Sequence, residues 1–118
     1  MRILVVDDEP AVAYLLGDAI SGSGHEVIVA TSGQEALGLL EHYLPDAVFL
    51  DVSMPEVSGV EVLRRVRSRH PDLPVFLITG HAQENQIEVA QSLGVSGIVE
   101  KPFILKGLSV TLKALAET

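Results

Sequence analysis

The chain has 118 residues, 47% of them hydrophobic, which is enough to form one globular domain over residues 1–118. Sixteen acidic and eight basic side chains give a net charge of −8, which argues against direct nucleic-acid binding and suits a cation or a basic protein surface. Cysteine is absent, which excludes disulfides and thiolate metal sites and is compatible with a reducing cytoplasm.

Five short aliphatic runs predict the strands of a parallel β-sheet. Most of them are continuously apolar instead of alternating, which is typical of strands that are covered on both faces. They occupy residues 3–6, 26–29, 47–50, 75–78 and 97–99.

Segments with helical spacing follow each strand. The first has apolar residues at positions i, i+3, i+4 and i+7, and the sequence GSG at 22–24 ends it. Its predicted inward residues are Val12, Leu15, Leu16 and Ala19. The second helix opens with Ser32 and Glu35, which have the spacing of a capping box.

The third predicted helix follows Gly59 and has two distinct faces. Val60, Leu63 and Val66 are predicted to point inward. The opposite, basic face consists of Arg64, Arg65, Arg67 and Arg69. A fourth helix is predicted from about residue 83 to 93, ending at Gly94, and a fifth from residue 104 carries a stripe of leucines.

This alternation predicts an α/β fold of five (βα) units with short right-handed crossovers. The expected architecture is a doubly wound, flavodoxin-like sandwich with a five-stranded parallel sheet in the order 2-1-3-4-5. In such sheets, ligands bind beyond the carboxyl ends of the strands, where the strand order reverses. In this order, the reversal falls between the first and third strands.

Polar residues that can carry chemistry follow four of the five strands. Asp7 and Asp8 come after the first strand and Asp51 after the third. Thr79 follows the fourth strand, and Lys101 follows the fifth. Three carboxylates, one hydroxyl and one ammonium are therefore expected to converge on one edge of the sheet.

The three carboxylates raise the question of how their mutual repulsion is offset. Like charges in a small volume disfavour one another's ionised form. A hard cation removes this conflict, and Mg²⁺ typically takes one or two carboxylates, several waters and phosphate oxygens. The sequence therefore predicts a magnesium site. Alternatively, Asp7 or Asp8 caps the first helix, and one of them can do so while serving the metal.

The same residues belong to a set of motifs that resembles the receiver domain of two-component response regulators. The resemblance covers the whole chain and keeps the order of the motifs in that family. The motifs are Asp7–Asp8, Asp51 with Met54–Pro55 and Gly59, Thr79, and Lys101–Pro102–Phe103.

This resemblance implies that Asp51 accepts a phosphoryl group from a histidine kinase or a phosphotransfer protein. It implies that Asp8, Asp51 and the backbone carbonyl of Ser53 bind Mg²⁺, with Asp7 acting mainly through a water molecule. Thr79 and Lys101 would contact the phosphoryl group, since a hydroxyl and an ammonium can both bind its oxygens. The bond before Pro102 is a candidate cis peptide.

Three further positions are open to more than one interpretation. Ile98 stands where the family usually carries Tyr or Phe, which puts the family's aromatic switch in doubt here. His81, two residues after Thr79, either modulates water access to the phosphoryl group or is simply exposed. Ser53, two residues after Asp51, likewise either modulates access to the phosphoryl group or is simply exposed.

Two other functions compete with a receiver. A magnesium-dependent phosphatase with an aspartate nucleophile usually needs a second acid two residues further on, where this chain has Ser53. A flavodoxin-like FMN binder would need a hydroxyl- and glycine-rich loop after the first strand, where this chain has DDEP. We therefore expect a signalling domain and not an enzyme.

The expected partners are a kinase or phosphotransfer protein and either a downstream protein or a second copy. The latter would bind the face formed by the fourth helix, fifth strand and fifth helix. No apolar run approaches the roughly 20 residues of a membrane span, and the first apolar run is too short for a signal peptide. A cytoplasmic location and no membrane contact are the corresponding expectations. Because the sequence stops right after the predicted fifth helix, no appended output domain is expected.

Overall fold

The structure is a computed structural model, and it describes residues 1–52, 58–79 and 84–100. In these residues, strands and helices alternate along the chain. They are β1 (Arg2–Val6), α1 (Pro10–Gly22), β2 (Glu26–Ala30), α2 (Gly33–His42), β3 (Ala47–Asp51), α3 (Gly59–Arg69), β4 (Val75–Thr79), α4 (Glu84–Ser92) and β5 (Gly97–Glu100). The predicted fifth helix and the predicted cis bond at Pro102 lie outside the described residues.

The strands form one parallel sheet in the order β2-β1-β3-β4-β5, which confirms the predicted fold. From β1 the chain first adds β2 on one side and then returns to add β3 on the other side. Ile3 is paired with Val27 of β2 and with Ala47 of β3. The predicted reversal of strand order therefore lies between β1 and β3, and the crevice at their carboxyl ends is the place to look for a ligand site.

Two hydrophobic clusters cover the two faces of the sheet. Successive strand residues point to opposite faces, so Leu4 and Val6 belong to one cluster and Ile3 and Val5 to the other. The first cluster is closed by side chains of α2, α3 and α4, and the second by side chains of α1. Both faces are buried, which explains why the strands read as continuous apolar runs.

Local signals in the sequence set the helix boundaries. The Ser32 side chain accepts a hydrogen bond from the Glu35 amide at 3.0 Å, which confirms a cap at the start of α2. The Ser58 side chain accepts one from the Glu61 amide at 3.3 Å and caps α3. Gly24 and Gly94 have φ values of 92° and 84°, and these left-handed residues end the turns after α1 and α4.

The predicted inward stripe of α1 is confirmed for Leu16, and Val12 and Ala19 pack against the second cluster, but the prediction is wrong for Leu15. Leu15 is 51% exposed, and the buried residues of this helix are Ala13, Leu16, Gly17 and Ile20. Gly17 explains this exception, because a Cβ there would lie 3.3 Å from Val29 Cγ2. The helix turns Gly17 toward β2, and this close approach leaves Leu15 on the outside.

The predicted basic face of α3 also needs a correction. Arg64, Arg65 and Arg69 are exposed, whereas Arg67 is half-buried and hydrogen-bonded to main-chain carbonyls. Val62 joins Leu63 and Val66 in the buried stripe. None of the described helices is both long enough and apolar enough to cross a membrane.

Candidate functional site

The three predicted carboxylates come together at the carboxyl ends of β1 and β3. Val6 pairs with Leu50, so Asp7 follows β1 at the level of Asp51, the last residue of β3. One carboxylate oxygen from each of Asp7, Asp8 and Asp51 lies within 4.8 Å of the others. The parallel register of two neighbouring strands thus collects three negative charges at the reversal of strand order.

The three side chains differ in their exposure to solvent. Asp7 is fully buried, Asp51 is 3% exposed, and Asp8 is half-buried. Burying a carboxylate costs free energy unless hydrogen bonds or an opposite charge compensate for the lost water. A site with two buried acids and one at its mouth suits a small cation that arrives from solvent and keeps part of its hydration.

Hydrogen bonds hold Asp7 at both its backbone and its side chain. Its amide donates to the Ala30 carbonyl at 3.1 Å, and its Oδ1 accepts from the Glu9 amide at 2.9 Å. Glu9 is the N-cap residue of α1, and its own side chain makes no cap hydrogen bond. Asp7 therefore fixes the chain where it enters α1, although it does not occupy the cap position itself.

The backbone of Asp51 is held by β4 on one side and by α3 on the other. The Val52 amide donates to the Ile78 carbonyl at 3.2 Å, which extends the pairing of β3 and β4 past Asp51. On the other side lies Gly59, the first residue of α3. A Cβ on Gly59 would overlap the Asp51 carbonyl oxygen and lie 2.6 Å from Val52 Cα. Only glycine allows α3 to begin this close to Asp51.

Thr79 ends β4 next to the carboxylate cluster. Asp51 pairs with Ile78, so Thr79 lies one residue further along the neighbouring strand. It is 8% exposed and is paired with Glu100 of β5. The structure thus places a buried hydroxyl residue beside Asp51, as expected from the sequence.

The remaining predicted residues are only partly covered by the structure. Ile98 lies in β5, pairs with Leu77 and is 40% exposed. Ser53, His81, Lys101 and Pro102 lie outside the described residues, and their predicted roles stay predictions. Lys101 directly follows Glu100, the last residue of β5.

The chemistry of the carboxylate cluster fits a hard divalent cation. All three ligands are oxygen atoms, and none of the described histidines belongs to the group. Oxygen ligands with room for water are what Mg²⁺ and Ca²⁺ select, whereas zinc favours nitrogen and sulfur. Asp7, Asp8 and Asp51 can therefore hold a metal of the magnesium type.

A groove of about 930 Å³ lies away from this cluster and beside the edge strand β2. Its lining includes Tyr14, Asp18, His25 and Tyr43, but none of the three clustered carboxylates. It is wide and open, with a mixture of charges and no convergent set of ligands. The chemistry of this domain is therefore assigned to the cluster at the carboxyl ends of the strands.

Comparison with known proteins agrees with this geometry. The response regulator receiver domain family matches residues 3–113. The response regulator MprA of Mycobacterium sp. strain KMS is 40% identical over 115 residues, which cover 98% of this chain and 50% of MprA. The chain thus spans about half the length of the curated relatives that it matches.

Solved structures show the same similarity in three dimensions. The receiver domain of NtrX from Brucella abortus is 33% identical, with a TM-score of 0.88 and 98% of each chain covered. A CheY-like receiver domain protein from Methanospirillum hungatei is 26% identical, with a TM-score of 0.91, covering 98% of this chain and 94% of that one. The chain belongs to the response regulator receiver domain family and is a domain of a two-component system.

Sequence reasoning missed the contact that positions Asp51. The motif in the sequence includes Gly59, but the motif alone gives no physical reason for a glycine at this place. One signal was available, because Gly59 stands at the start of a helix, directly after a capping serine. Glycine is a poor helix former, so a glycine there needs another reason. A glycine in such a place indicates a close approach of another backbone.

Proposed function

We propose that this domain accepts a phosphoryl group on Asp51 from a histidine kinase or a phosphotransfer protein, in a reaction that requires Mg²⁺. The observation that carries this proposal is the cluster of three carboxylates within 4.8 Å, in which Asp51 is almost fully buried. Such a cluster is unfavourable for the stability of the fold, because its charges repel one another. It is a good site for a cation and an incoming phosphoryl group.

The proposed metal ligands are Asp8, Asp51 and the backbone carbonyl of Ser53, with Asp7 acting through water. Mg²⁺, when bound, neutralises part of the negative charge of the carboxylates and of the phosphoryl oxygens. Oδ1 of Asp7 already accepts a hydrogen bond from the Glu9 amide, which supports an indirect role for this side chain. Asp8 is the more accessible acid and is the better candidate for a direct ligand.

In the proposed step, a carboxylate oxygen of Asp51 attacks phosphorus and forms an aspartyl phosphate. The bond between phosphorus and the nitrogen of the donor histidine breaks, and that nitrogen takes a proton from solvent. Attack of water on phosphorus later releases inorganic phosphate and restores the Asp51 carboxylate. Gly59 and the hydrogen bond from the Val52 amide keep the Asp51 backbone in place during both steps.

Thr79 and Lys101 would bind the phosphoryl oxygens and report their arrival. Phosphorylation adds charge and strong acceptors close to Thr79, so its hydroxyl is drawn toward Asp51. Lys101 would supply a mobile positive charge. These contacts exist only in the phosphorylated state, so they can shift the balance between two conformations.

The signal would leave through the face formed by α4, β5 and the predicted fifth helix, where a downstream protein or a second copy binds. Ile98 lies on this route and is smaller than an aromatic residue, so we expect a smaller shift between the two states. The domain would thus act in the cytoplasm as a regulated binding module and not as an enzyme. Its negative charge supports the absence of a direct nucleic-acid contact.

The direct test is incubation with acetyl phosphate and Mg²⁺, followed by intact mass measurement. The wild type should gain one phosphoryl group, which is lost at alkaline pH as expected for an acyl phosphate. The Asp51→Asn variant should gain none, and the exposed Asp46→Asn variant serves as the control. Equal labelling of the wild type and Asp51→Asn would contradict the proposal.

A further inference from the structure

Arg67 connects three segments of the chain through its guanidinium group. Its Nε donates to the carbonyls of Leu93 and Gly94, each at 3.0 Å, and Nη2 donates to Gly94 at 2.7 Å. Its Nη1 donates to the carbonyls of His70 at 3.1 Å and Leu73 at 2.7 Å. The planar group thus joins the end of α3 to the segment before β4 and to the segment before β5.

Arginine suits this place for a physical reason. The guanidinium offers five donors in a fixed fork, and here they meet four main-chain carbonyls that no single water could serve together. Gly94 adopts a φ of 84° after the last turn of α4, and its carbonyl accepts bonds from two nitrogens of Arg67. Burial lowers the pKa of Arg67, and nearby Asp72 partly opposes this effect.

The two connected segments lead into the strands that matter for the switch. The first, residues 70–74, precedes β4, which ends in Thr79. The second, residues 93–96, precedes β5, which ends directly before Lys101. The Ser96 amide also donates to the Val75 carbonyl at 2.7 Å, so the beginnings of β4 and β5 are joined to each other.

We propose that Arg67 is a positioning residue that locks the beginnings of β4 and β5 together, so that phosphorylation displaces only the carboxyl ends of these strands. The part of this inference that concerns phosphorylation rests on the proposed function. The lock itself is a property of the unphosphorylated domain. Thr79 lies at the carboxyl end of β4, whereas Arg67 contacts the segments that precede β4 and β5. Arg67 therefore has no contact with the phosphoryl site.

The experiment compares Arg67→Ala and Arg67→Lys with Arg65→Ala, which removes an exposed arginine from the same helix. Amide hydrogen exchange is measured without metal, and amide chemical shifts are measured in Mg²⁺ with and without beryllium fluoride. In Arg67→Ala, the amides of Gly94 and Ser96 should exchange about tenfold faster or more, while those of α1 are unchanged. In Arg67→Lys, the exchange rates of the Gly94 and Ser96 amides should lie between those of the wild type and of Arg67→Ala, because an ammonium cannot bind four carbonyls at once.

Beryllium fluoride, which mimics the phosphoryl group, tests the second half of the inference. In the wild type it should shift the amides near Asp51 and Thr79 and leave residues 93–96 unchanged. In Arg67→Ala the shifts should extend into residues 93–96. The rate of labelling by acetyl phosphate should stay within about twofold of the wild type, since the phosphoryl site is intact.

Three results would overturn the inference. Unchanged amide exchange at Gly94 and Ser96 in Arg67→Ala would exclude the lock. If exchange in α1 became faster by the same factor as at Gly94 and Ser96, the variant would have lost stability in general, and the lock would also be excluded. Wild-type shifts at residues 93–96 as large as those near Thr79 would exclude fixed strand beginnings. A wild type without any shift near Asp51 would instead contradict the proposed function, and the exchange rates would then decide on the lock alone.

Discussion

Gly59 lies directly against the main chain of Asp51, so that a Cβ on Gly59 would overlap the Asp51 carbonyl oxygen. The start of α3 therefore packs against the backbone of Asp51, the proposed phosphoacceptor, and holds it in place. The Ser58 side chain caps the same helix through the Glu61 amide at 3.3 Å, which fixes the position of Gly59. The geometry of the acidic cluster thus depends on a residue that carries no functional group.

The Gly59→Ala variant tests this dependence. The added methyl group meets backbone atoms, which cannot move aside, so we expect a loss of about 1–3 kcal/mol in the free energy of unfolding and slower labelling by acetyl phosphate. The matched control is Gly38→Ala in α2, where a Cβ would meet nothing within 4 Å. It should raise stability by up to about 1 kcal/mol. Equal stability of the two variants in urea unfolding would contradict the close contact.

Asp8→Asn tests the metal site. Without metal, the variant should be about 1–3 kcal/mol more stable than the wild type, because one of three mutually repelling charges is gone. Mg²⁺ should raise the melting temperature of the wild type and have little effect on the variant. Asp18→Asn removes an exposed acid of α1 and should respond to Mg²⁺ like the wild type. An undiminished Mg²⁺ effect in Asp8→Asn would argue against Asp8 as a ligand.

Thr79 allows its hydroxyl to be tested separately from its shape. Thr79→Val keeps the branched shape in a position that is 8% exposed, and Thr79→Ser keeps the hydroxyl. Thr79→Val should still be labelled by acetyl phosphate but lose most of the chemical-shift response of β5 to beryllium fluoride. Thr79→Ser should retain most of that response. The hydroxyl has no role in the switch if both variants respond like the wild type.

Much of the fold was predictable, because strands buried on both faces leave continuous apolar runs in the sequence. The close approach of the acids was also predictable, since parallel strands end at the same edge of the sheet. Individual helix faces were not, because Gly17 rotates α1 toward β2 and leaves Leu15 exposed. The half-buried position of Arg67 was not predictable either. The carbonyls that it binds belong to segments three to twenty-seven residues away, which periodicity cannot bring together.

Ile98 gives a prediction about the strength of the switch. Its side chain is 40% exposed in β5, and it lacks the ring that the family usually places there. Ile98→Tyr should increase the chemical-shift response of β5 and α4 to beryllium fluoride, while Ile98→Val should leave it nearly unchanged. A wild-type response as large as that of Ile98→Tyr would contradict the expected small shift.

The central claim is that Asp51 forms the aspartyl phosphate, and reduction of the phosphorylated protein by borohydride tests it most directly. Borohydride converts an aspartyl phosphate into homoserine, and peptide mass analysis then locates the modified residue. After phosphorylation in Mg²⁺ and reduction, we predict homoserine at position 51 and unmodified aspartate at positions 7 and 8. Homoserine at position 7 or 8, or its absence from position 51 in protein that has gained a phosphoryl group, would contradict the account.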